Sequence, residues 1–77
     1  MTQLLRVYVN AVPVDVSAGA TALDCVRVWR PDEAEAVAVG RRVITDSRGL
    51  PIASDSRAQA GSIYRTVANR TTDARAD

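Results

Sequence analysis

The chain has 77 residues, 47% hydrophobic and 25% charged, with a formal net charge of +1. That length holds a single domain with one small core, and the composition is that of a globular protein rather than a disordered or membrane class. One cysteine, Cys25, and no histidine exclude an internal disulfide and a zinc or iron–sulfur site built on those residues.

In chain order, LLRVYVN alternates: Leu5, Val7 and Val9 fall on one side and Arg6, Tyr8 and Asn10 on the other, as in a half-buried strand. VPVDVS alternates again, so the two runs joined through Asn10 and Ala11 predict a β-hairpin. Pro13 lacks a backbone donor and places the second strand at a sheet edge.

After Gly19 the period changes. Thr21 as N-cap and Asp24 three residues on form a capping-box pair, which predicts a helix over 22–29 with Ala22, Cys25, Val26 and Trp29 on its apolar stripe. Pro31 ends that helix and opens a short second one over 31–39, with acids in its first turn and Gly40 as the C′ residue.

RRVITDSRGLPI reads as strand, turn, strand, with Asp46 and Gly49 bounding the turn. ASDSRAQAG is a loop. A last strand follows over 62–68, in which Ile63, Arg65 and Val67 share one face and Tyr64 and Thr66 the other; the pattern leaves open which side is inward. Residues 69–77 hold no apolar side chain larger than alanine and are expected to be a disordered polar tail after a domain spanning 1–68.

The expected fold is therefore α+β, with a mixed four- to five-stranded sheet packed on one main helix in the order ββα(α)βββ, the order of the β-grasp or ubiquitin-like fold. Within it, RVYVNAVPVDVSAGATALDCV resembles the start of the ThiS and MoaD sulfur carriers. There a strand ending in Val-Asn leads through a tight turn to a short second strand and a Gly-Ala-Thr entry into the helix; here these are Val9, Asn10, Gly19, Ala20 and Thr21. Ala11 stands where those carriers commonly have glycine. Carriers of this kind end in Gly-Gly, which their activating enzymes need in an extended channel, whereas Gly61 is the last glycine here. No carrier residue is transferred by the resemblance.

Among candidate sites, Cys25 reads as a small core residue and Trp29 as cover for the core margin. The charge divides unevenly: residues 1–40 carry Arg6, Arg27 and Arg30 against Asp15, Asp24, Asp32, Glu33 and Glu35, while residues 41–77 carry seven arginines against four aspartates. Arg41, Arg42, Arg48 and Arg65, with Arg70, form a candidate partner- or anion-binding face, because guanidinium groups pair bidentately with carboxylate and phosphate. Nucleic-acid binding ranks below protein binding, since recognition of bases calls for more charge and more stacking aromatics than Trp29, Tyr8 and Tyr64 supply. No serine–histidine pair, phosphate loop or carboxylate dyad is readable. The expectation is a non-catalytic, cofactor-free, cytoplasmic module that binds another protein, with a divergent sulfur carrier as the alternative.

Overall fold

A computed structural model describes residues 3–69. The expected tail thus lies almost wholly outside the described residues. Strands β1 (Leu4–Val9) and β2 (Val12–Ser17) are followed by helices α1 (Ala22–Trp29) and α2 (Pro31–Ala38), then by β3 (Arg42–Thr45) and β4 (Ile63–Ala68). The four strands form one mixed sheet in the order β2-β1-β4-β3. β1 is antiparallel to β2 and parallel to β4, and β3 is antiparallel to β4. The two helices lie on one side of this sheet. α1 packs on β1 and β2, and α2 packs on α1 and β3.

The hairpin forms as the alternation requires, in register Val9↔Val12 and Val7↔Val14. Its connection uses two left-handed residues, Asn10 at φ 51° and Ala11 at φ 71°, the backbone of the two-residue turns whose twist matches that of the flanking strands. Helix α1 opens with both arms of the capping box: the Asp24 amide donates to Thr21 Oγ1 at 3.2 Å, and the Thr21 amide donates to Asp24 Oδ2 at 3.1 Å. Two further donors at this helix end are satisfied from the long loop after β3, Ala22 N to Ser56 O and Leu23 N to Ser54 O. That loop also contributes Ala58 to the core, a role its polar sequence hides.

The core is aliphatic. Val7, Val9, Ala22, Cys25 and Val26 are fully buried, with Val16, Ala34, Ile44 and Tyr64 completing it. Tyr64 settles the orientation of β4: it faces the helices, and Ile63, Arg65 and Val67 face away.

The expected fold is corrected in two respects. First, the segment after the Asp46–Gly49 turn is not a strand; it makes a single bridge, Thr45↔Pro51. Residues 50–52 lie along β3 through Asp46 N to Leu50 O and Ile52 N to Ile44 O, which leaves Pro51 in a non-hydrogen-bonded pair with its nitrogen turned away from β3, where it has no N–H to offer a further strand. The order is ββααββ. Second, there is no single main helix: α1 and α2 have eight residues each, and Ala34 of α2 is as buried as most of the core. Neither helix is long and apolar enough to cross a membrane.

Candidate interaction face

The sheet has one face covered by helices and one open. On the open face, register places Pro13, Tyr8 and Ile63 in one cross-strand row, with Arg65 beside Thr45 and Val67 beside Val43 in the next rows. Apolar side chains remain accessible there: Tyr8 is 38% exposed, Ile63 47% and Val67 41%. A shallow groove of about 610 Å³ runs along this face, lined by Tyr8, Asn10, Ala11, Ser47, Ile63 and Arg65. Its size falls in the roughly 300–1,000 Å³ range of clefts that receive ligands.

The four arginines expected to gather on one face are divided by the fold. Arg42 turns to the helix side, where its Nε lies 3.1 Å from Glu33 Oε2. Arg48 is held in the turn by Asp46 at 3.3 Å. Arg41 is exposed at the start of β3, where its carbonyl accepts from Asn69 N. Arg65 alone of the four lines the groove, and among the described residues it forms no ion pair. At the other end of the open face Arg6 pairs across strands with Asp15, Nε to Oδ1 at 3.0 Å, which holds the Asp15 carboxyl below its ordinary pKa.

The turn at the head of the groove is anchored from a distance. Asn10 Nδ2 donates to Thr66 Oγ1 at 3.0 Å, and the Thr66 amide donates back to Asn10 Oδ1 at 3.1 Å. Thr66 Oγ1 in turn donates to Glu33 Oε2 at 2.9 Å, the same oxygen that pairs with Arg42. Hairpin turn, β4 and α2 are thereby joined through hydrogen bonds, and the ion pair of Glu33 with Arg42 ties in β3, which rigidifies the wall formed by Asn10 and Ala11. On the far margin, Asp46 Oδ1 accepts from Arg48 N at 2.8 Å and from Leu50 N at 3.0 Å. The Leu50 amide is the main cause of an Asp46 pKa below the ordinary carboxylate value.

Burial, reinforced by the negative charge of Asp24, pushes the Cys25 thiol up to about 11, so it carries no thiolate at neutral pH to act as a nucleophile. Among the described residues no group of histidine, cysteine, aspartate or glutamate converges as metal ligands.

Tyr8 and Ile63 are not among the candidate site residues of the sequence, and Ala11 stands out there only as a turn residue. The signal for Tyr8 was its place between the inward Val7 and Val9; that for Ile63 was its sharing a face with Arg65. No protein-family model matches the chain, and a search of curated proteins returned no match.

Proposed function

We propose that this chain is a non-catalytic module of β-grasp type that acts in the cytoplasm by binding another protein through the open face of its sheet. The fold reading draws on the N-terminal hairpin, the helices that follow it, and a last strand inserted parallel to β1 at the sheet centre. The binding reading rests on one observation: Tyr8 and Ile63, side by side in the register, stay exposed on the face of the sheet opposite the described helices. Contiguous exposed apolar surface on a small domain marks interaction sites.

Addition of a partner strand at either edge is less well supported. Tyr8 N and Asn10 N bond to β4, so alternation turns the main-chain nitrogens of Pro13, Asp15 and Ser17 toward the free side of β2. There Pro13 has no donor and Asp15 places a carboxylate. The outer side of β3 is taken by residues 50–52. The face remains.

A photo-crosslinking residue at position 8, expressed in the native host, should yield protein adducts, and the same residue at Val28, exposed on α1, should not. Equal adducts at both positions would overturn the reading. The second reading, a divergent sulfur carrier, is favoured by the left-handed Ala11, which occupies a position where glycine belongs in those carriers. Intact-mass spectrometry of the native protein, looking for added sulfur or a conjugate at the C-terminus, decides between them.

A further inference from the structure

We infer that the groove on this face selects a partner segment carrying a carboxylate between apolar side chains. The inference rests on the docking role proposed above and adds the chemistry of the occupant. Along β4 the open face reads Ile63, Arg65, Val67, a cation between two exposed aliphatic residues. Arg6, Arg27, Arg42 and Arg48 are each paired with a carboxylate; Arg65, like Arg30, Arg41 and Arg57, has no such partner among the described residues, and of these it alone lines the groove.

A guanidinium at a face that becomes covered must be matched, because an unpaired charge removed from water is strongly unfavourable. A wholly apolar partner would strand Arg65, and a basic one would be repelled. A carboxylate accepts two parallel hydrogen bonds from the guanidinium fork, while its apolar neighbours settle on Ile63 and on the Tyr8 ring, which lie side by side in the register. In a two-fold self-pairing of two such grooves, Arg65 would meet either its own copy on the axis or another lining residue away from it, and the lining offers no carboxylate, which disfavours a second copy of this chain as the occupant.

Ala11 also lines the groove; its φ of 71° belongs to the two-residue hairpin turn, which sets that wall in place.

The test uses the isotope-labelled full chain and two blocked tripeptides, acetyl-Val-Glu-Val-amide and acetyl-Val-Gln-Val-amide, titrated while the amide resonances are followed by NMR. The expected result is millimolar binding that shifts Tyr8, Ser47, Ile63 and Arg65, with the glutamate peptide about two- to fivefold tighter, the range for an exposed ion pair. Arg65→Gln should bring the two peptides to the same affinity. Equal binding of both peptides to the wild-type groove overturns the carboxylate selectivity while leaving face docking in place. Shifts confined to other surfaces, or no shift at all, overturn the proposed groove, and the crosslinking at position 8 then judges docking separately. Concentration-dependent shifts of the same amides without peptide identify a second copy as the occupant and also overturn it.

Discussion

Val7 and Val9 on one face of β1 are fully buried, whereas Tyr8 between them and Ile63 beside it on β4 keep 38% and 47% of their surface in water. The same strand thus commits half of its side chains to folding and leaves the other half to solvent. On the helix side the apolar residues answer to one another: Val7, Val9 and Val16 meet Cys25 and Val26, and Ile44 and Tyr64 close the far end. On the open side Tyr8 and Ile63 lie side by side but outside that cluster. Burial explains the first set as core. For the second set folding gives no reason, which is why the interaction reading is placed there.

Four substitutions break or sharpen that contrast. The largest effect is expected from Val26→Asp, which puts a charge without a partner at a fully buried position of α1. It should cost more than about 4 kcal/mol, comparable with the whole stability of a domain of this size. Far-UV circular dichroism should find no cooperative melt; a native melt would mean that the helix does not face the sheet as described. Next comes Val9→Thr, close to isosteric, which places a hydroxyl at a position of zero exposure. Urea denaturation should register a loss of about 1–3 kcal/mol.

The sequence made the N-terminal half legible because its signals are local. Strand alternation, the Thr21–Asp24 capping box and Gly40 at φ 87° each need only a few neighbouring residues. The C-terminal half depends on distant partners. The segment at 50–52 has strand-like residues, yet it makes only one bridge, Thr45↔Pro51, at the margin of the sheet. Both faces of β4 carry apolar residues, so only its insertion between β1 and β3 decides that Tyr64 goes in and Ile63 stays out. The arginine cluster failed for a related reason: Arg42 meets Glu33 of α2, a contact that depends on how α2 packs on β3. Arg65 was legible as a candidate; its setting among Tyr8, Ile63 and Ala11 was not, because the groove is built from two strands and two turns distant in sequence.

Ala11→Gly acts in the opposite direction from the first two substitutions. Relief of the left-handed strain, offset in part by the greater freedom of glycine in the unfolded chain, should stabilise the protein by about 0.5–1 kcal/mol. The same change removes a methyl from the groove wall, so the glutamate tripeptide should bind more weakly to the more stable protein. Thermal melting and the NMR titration read the two quantities separately. Binding that strengthened along with stability would show that the alanine methyl does not contribute to the groove.

The smallest effect is the one that bears most directly on the two faces. Ile63→Thr keeps the β-branch that suits a strand and, like Val9→Thr, exchanges an apolar group for a hydroxyl. At position 63 that hydroxyl points to water on the open face, and stability should change by no more than about 0.5 kcal/mol. Crosslinking from position 8 should nevertheless fall, because the apolar surface offered to the partner is reduced. If instead Ile63→Thr destabilised the chain as much as Val9→Thr does, then Ile63 would be part of the fold's own packing. The exposed row across β1 and β4 would then lose its claim to be a surface kept for a partner. Equal urea midpoints for the wild type and Ile63→Thr, with crosslinking reduced, are the result that separates a binding face from a core face.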